Sequence, residues 1–99
     1  MIILKAEFLI KPIGRDTLFA ALPEFVQTSR REAGCLYFIV AEDTHEPNRF
    51  IVIEHWRNKS AFLMHEQSDH VIEFKAQISS IVLGKAPTIV YQADSLLSD

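Results

Sequence analysis

Residues 49–56 read Arg49-Phe50-Ile51-Val52-Ile53-Glu54-His55-Trp56. They follow a second apolar stretch at 35–42, Cys-Leu-Tyr-Phe-Ile-Val-Ala-Glu, across the polar turn Thr44 to Asn48. Both stretches are dense in β-branched and aromatic side chains, which predicts two strands joined as a hairpin. Alternation sets Phe50 and Val52 against Ile51 and Ile53. In the earlier stretch it sets Leu36, Phe38 and Val40 against Tyr37 and Ile39. An antiparallel sheet with one wet face reads apolar on one side only. Here both sides are apolar, so both need cover.

Working outward, residues 2–11 alternate Leu4, Ala6, Phe8 and Ile10 with Lys5, Glu7, Leu9 and Lys11, a strand that Pro12 ends. Gly14 turns the chain, and Asp16 is the expected N-cap of a helix carrying Leu18, Ala21, Leu22, Phe25 and Val26 as far as Glu32. Pro23 predicts a kink or break in it, and Gly34 its stop. After Trp56, Asn58 or Ser60 caps a helix with Ala61, Phe62 and His65. A break at Ser68-Asp69 precedes another helix with Val71, Phe74, Ile78, Ile81 and Val82, ended by Gly84. A last strand is expected at 88–93, closing a single domain over 1–94 with a frayed tail at 95–99.

The order β-α-β-β-α-β predicts an α+β, ferredoxin-like fold with four antiparallel strands and the helices on one face. The other face would expose a larger apolar patch than monomers tolerate. A homodimer in which two sheets cover each other is the expected solution.

The 99 residues are 48% hydrophobic and 23% charged, with a net charge of −3, which exclude a disordered chain and a basic nucleic-acid binder. The single Cys35 cannot make an internal disulfide. With no signal peptide at the N-terminus and no long apolar run, a cytoplasmic protein without membrane attachment is expected. There is no G-x-G-x-x-G, no phosphate-binding loop and no C-x-x-C. His65 and His70 are five apart across the expected helix break, which does not suit a metal-binding helix, so no metal or cofactor is expected.

Chemistry-bearing residues concentrate between Glu54 and His70, where three of the four histidines and the only Trp fall. Glu54 and Trp56 share a strand face. His65 follows on the next helix, where small Ala61 leaves room for a cavity. His65 is expected to point at Glu54, which would orient the ring and favour its protonated form. The structural alternatives are Trp56 as a core anchor and His65 and His70 as hydrogen-bonded helix residues.

The pattern Glu54-x-Trp56, then Ala61, His65, His70 and Phe74, resembles the antibiotic-biosynthesis-type monooxygenase superfamily. The resemblance extends through Arg30, Glu32, Gly34 and Cys35 and through Lys11-Pro12, covering roughly residues 2–92. It implies a dimeric ferredoxin-like α+β barrel. It also implies one of three chemistries: oxidation of quinols or phenols by O₂ without metal or flavin, haem degradation, or isomerisation of a small phosphorylated sugar. The haem branch is disfavoured: the first strand has no Asn, the helix after the third strand no Trp, and residues 74–84 no His.

Cofactor-free oxygenation requires that the protein form a phenolate, which can pass an electron to O₂. On this reading His65 is the base, Trp56 an apolar wall and donor, and Glu54 its partner. Tyr37 or Asn58 would hold the anion, with Phe62, His70 and Phe74 around the substrate. Isomerisation of a sugar phosphate and non-enzymatic small-molecule binding are the alternatives.

Overall fold

A computed structural model describes residues 1–94; the tail expected at 95–99 lies outside the described residues. The elements are β1 (Ile2–Ile10), α1 (Arg15–Arg31), β2 (Cys35–Glu42), β3 (Arg49–Trp56), α2 (Lys59–Glu66), α3 (Asp69–Ile78), β4 (Val82–Lys85) and β5 (Ile89–Gln92). A short 3₁₀ turn, Pro12–Gly14, leads into α1. The sheet order is β2-β3-β1-β4, all antiparallel, with β5 also on β1. This is the expected α+β, ferredoxin-like arrangement. Among the described residues no helix is long and apolar enough to cross a membrane.

The register explains where the core lies. Leu4 of β1 pairs with Glu54 of β3, which pairs with Phe38 of β2; Ala6, Val52 and Val40 form the next row. On this face Leu4, Phe38, Phe50, Val52 and Trp56 are buried beneath Leu18 and Phe25 of α1 and Val71, Phe74 and Ile78 of α3. Phe25 and Phe74 stack with ring centroids 3.9 Å apart, joining the two helices. The opposite face carries Ile3, Ile39, Ile51, Ile53 and Tyr37, half-buried or exposed, and among the described residues no helix covers it.

Several local expectations are corrected. The last strand, Ile89–Gln92, lies where it was expected, but a further strand, Val82–Lys85, precedes it. After α3 ends at Ile78, the amide of Lys11 bonds the carbonyl of Ile81 at 2.8 Å, and the β-branched and apolar Ile81-Val82-Leu83 run along the end of β1 instead of prolonging the helix past it. Val82–Lys85 and Ile89–Gln92 lie on successive halves of β1, interrupted around Pro87, which has no amide to donate. Helix α1 runs unbroken through Pro23. Pro23 and Phe19 are both exposed, so the carbonyl freed by the proline lies on the water side of the helix.

Asp16 does not cap α1; Gly14 occupies the cap position, and Asp16 sits in the first turn. Leu36 does not share a face with Phe38. It is the extra residue of a bulge between Cys35 and Tyr37, and it is 49% exposed. Asn58 does cap α2, its Oδ1 accepting from the Ala61 amide at 2.9 Å.

Gly34 follows α1, but not for backbone freedom, since no glycine has positive φ. Its role is space: a Cβ at Gly34 would overlap the Cβ of Ala61. The bare backbone lets α2 settle against the α1–β2 junction, and the Arg57 amide bonds the Gly34 carbonyl at 2.8 Å beside it.

Candidate active site

That close approach positions the site. His65 lies one turn beyond Ala61, and Glu32 lies two residues before Gly34, so seating Ala61 on Gly34 brings the two side chains together. His65 Nδ1 is 3.0 Å from Glu32 Oε2, and His65 Nε2 is 3.5 Å from Glu54 Oε1. The Trp56 indole Nε1–H donates to that same Glu54 oxygen at 2.9 Å. The Trp56 and His65 rings face each other with centroids 4.4 Å apart. His70 Nε2 lies 2.9 Å from Glu32 Oε1. The Ser68 hydroxyl donates to the His65 carbonyl at 2.6 Å, bracing the turn between the two histidines.

Burial sets the electrostatics. Glu54 is 5% and His65 2% exposed. Loss of water pushes the Glu54 carboxyl up to about 7, against the Trp56 hydrogen bond that draws it down. Glu32 is raised to about 7 by the same cause. Burial, with His70 and Lys75 nearby, pulls His65 down to about 4. The expectation that a neighbouring glutamate would favour the protonated ring is therefore overturned: desolvation outweighs the carboxylates, and His65 is neutral near pH 7.

Glu54 and His65 are polar groups in the wall of a cleft of about 200 Å³ between the sheet and α3. Its apolar walls include Leu4, Ala6, Val52, Phe74 and Ile78, and the exposed Lys75 and Lys85 line its rim. The arrangement suits a flat apolar molecule presenting an acidic hydrogen to Glu54.

The sequence-derived candidates divide. Glu54, His65 and Phe74 line the cleft, and Trp56 holds Glu54 from behind. His70 is drawn to Glu32 instead and lines a separate small cavity with Phe25 and Phe74. Phe62 packs against the core cluster rather than lining the cleft. Asn58 is spent on capping α2 and lines a different cavity, beside Glu32. Tyr37 pairs with His55 on the sheet face away from the helices, its ring 5.0 Å from the imidazole, and cannot hold an anion in the cleft.

Glu32 is the residue that sequence reasoning passed over as a site group, although it stood in the junction Arg30, Glu32, Gly34, Cys35. Glu32, His65 and His70 bring one carboxylate and two imidazole nitrogens within 4.8 Å of one another. Each carboxylate oxygen already holds one of those nitrogens at hydrogen-bond distance. We read the trio as a hydrogen-bonded set.

A family model described as antibiotic biosynthesis monooxygenase matches residues 1–77. The chain belongs to the antibiotic biosynthesis monooxygenase family. It is 31% identical over 77 residues to the Bacillus subtilis protein named Putative monooxygenase YcnE, covering 78% of this chain and 81% of that one. It is 29% identical over 91 residues to the Synechocystis protein sll1783, covering 92% of this chain; it spans 62% of the length of that relative. Among solved structures, a Deinococcus radiodurans protein described as a putative antibiotic biosynthesis monooxygenase superposes with a TM-score of 0.90 at 25% identity, covering 100% of this chain and 98% of that one. Membership in the antibiotic biosynthesis monooxygenase family makes the cleft, with Glu54 and His65 in its wall, the first place to look for chemistry.

Proposed function

We propose that this protein oxidises a small phenolic or quinol substrate with O₂, without metal or organic cofactor, in the cleft that Glu54 and His65 line. The observation that carries the reading is the buried Glu54–His65 pair, with Trp56 donating to the carboxylate, opening on an apolar cleft in a chain of this family.

Magnitudes assign the base. A phenol of pKa about 10 that passes its proton to Glu54 at about 7 climbs roughly 4 kcal/mol; passing it to His65 at about 4 costs roughly 8 kcal/mol. Glu54 therefore takes the proton, and His65 stands behind it as the next acceptor. The phenolate gives one electron to O₂, and the resulting radicals combine at a ring carbon that bears hydrogen. The hydroperoxide then loses water to leave a quinone. O₂ takes four electrons from the substrate, one oxygen entering product and one entering water, so no external reductant is needed. The apolar walls keep water from the intermediate.

The uncovered sheet face supports a homodimer as the working assembly. A second reading, isomerisation of an anionic sugar, draws on Lys75 and Lys85 at the rim of the same cleft. Turnover of a quinol panel under ¹⁸O₂ in chelator-treated buffer separates the two. The oxygenase reading expects one labelled oxygen per quinone, and turnover of a sugar phosphate in the absence of O₂ would replace it.

A further inference from the structure

We propose that the mouth of the cleft is a subsite for an anionic group, where Lys85 and Lys75 receive a carboxylate that the aromatic substrate carries at the end away from its hydroxyl. The inference rests on the reading of the cleft as the place of oxidation and narrows its substrates to acidic phenols or quinols.

Strand register puts Lys85 there. Phe8 of β1 pairs with Lys85 of β4, and Ile10 pairs with Val82. Residues directly opposite each other in an antiparallel pair share a face. Lys85 therefore stands on the face that bears the helices, in the row that Phe8 and Phe50 make apolar. Lys75 comes from the other wall. It follows Val71 by one turn of α3, on the side that Phe74 and Ile78 give to the cleft. Both lysines are exposed and both line the cleft. Each wall thus ends in an ammonium group where its apolar pattern would otherwise continue.

The neighbouring charges leave a place for an anion. Glu66 Oε2 lies 3.9 Å from Lys75 Nζ and offsets it. Glu7 also lines the cleft, but Arg49 holds its carboxylate at 2.8 Å. Among the described residues Lys85 is in no ion pair. Thr88, just past Pro87, adds a hydroxyl to the same lining.

Spacing sets the shape of the molecule. Glu54 lies in the row of Leu4 and Lys85 in the row of Phe8, four residues and about 13 Å further along β1. That span exceeds one aromatic ring. One molecule joins the two ends when its ring carries an arm of several carbons or is fused to a second ring. Ala6, Val52 and Phe74 wall the space between and suit its apolar body.

The test compares 4-(2,5-dihydroxyphenyl)butyrate with its primary amide, which has the same shape and no charge. Both are given to the wild type, to Lys85→Gln and to Lys59→Gln, with uncatalysed oxidation subtracted. Lys59, exposed at the start of α2, controls for net charge. Lys75 stays in place, because its charge also bears on Glu54 and His65. The wild type should prefer the acid in kcat/KM by roughly fivefold, the size of a solvent-exposed ion pair. The preference should shrink toward one in Lys85→Gln, and at about 0.5 M salt, and should persist in Lys59→Gln. Equal use of acid and amide by the wild type, or a preference kept by Lys85→Gln, overturns the subsite and leaves the oxygenase reading standing. If no quinol is turned over, the functional reading fails by itself. The subsite is then judged by binding of 4-phenylbutyrate and 4-phenylbutyramide, followed by NMR shifts of the Lys85 and Thr88 backbone N–H groups. The wild type should bind the acid roughly fivefold more tightly, and Lys85→Gln should bind the two alike. Equal affinities in the wild type, or no binding of either compound, would overturn it.

Discussion

The Trp56 indole donates its Nε1–H to Glu54 Oε1 from two residues along the same strand face, at 2.9 Å. This bond gives the carboxylate a fixed orientation and stabilises its charged form, which burial otherwise disfavours. Trp56→Phe keeps most of the ring packing and removes the donor. The Glu54 pKa should rise further above 7, so the acidic limb of the pH–rate profile should move to higher pH. A profile that stays in place would separate Trp56 from the chemistry and leave it a core residue.

The same burial predicts an unusual pH dependence of stability. Glu54 and Glu32 have folded pKa values near 7, above their ordinary 4.5. Their contribution is full below about 4.5 and is lost as pH rises through about 7. His65, held down at about 4, opposes them by gaining stability as pH rises from 4 to its ordinary 6.5. Two carboxyls outweigh one imidazole, so the melting temperature should fall between pH 5 and pH 7.5. Glu42, held at about 2 by Arg15, titrates below this window. The charged groups facing Glu54, Glu32 and His65 include His70, Glu66 and Lys75. In Glu54→Gln the remaining Glu32 and His65 oppose each other and the slope should flatten; an unchanged slope would mean that Glu54 does not titrate there.

Gly34→Ala should cost about 1–3 kcal/mol, because the new Cβ meets the Cβ of Ala61 and neither is a flexible side chain. Moving α2 outward also separates His65 from Glu32, so turnover per folded molecule should fall with stability. Denaturant unfolding and turnover measured on the same preparation check both; loss of stability with full turnover would show that the His65–Glu32 contact is dispensable.

The uncovered face of the sheet predicts its own partner. Ile53 is flanked by Lys5 on β1 and Ile39 on β2 in the middle of that face. Sedimentation should give twice the 11.3 kDa chain mass, and Ile53→Glu should give the monomer. A wild-type monomer at micromolar concentration would refute the dimer.

The sequence carried the site only as far as local periodicity reaches. Period two placed Glu54 beside Trp56, and an asparagine cap placed α2, with His65 pointing back at the sheet. Glu32 was illegible because its contact with His65 depends on a Gly34–Ala61 approach that no local pattern encodes. Tyr37 misled because its face depends on strand register: Phe38, not Tyr37, pairs with Glu54. Ile81 and Val82 extended the apolar period of α3 and so read as helix, whereas Ile81 lies in the turn after it and pairing with β1 makes Val82 strand. The low pKa of His65 was hidden for a similar reason, since burial is a property of the packed fold and not of the neighbouring residues in the chain.

Oxygen consumption by wild type and Glu54→Gln, with a panel of quinols in chelator-treated buffer, tests the central claim most directly. The account predicts uptake by the wild type that matches quinone formation, and a loss of roughly 10²–10⁴-fold in Glu54→Gln with its fold retained. Uptake that is equal in the two proteins, or that stops when metal is removed, would contradict it.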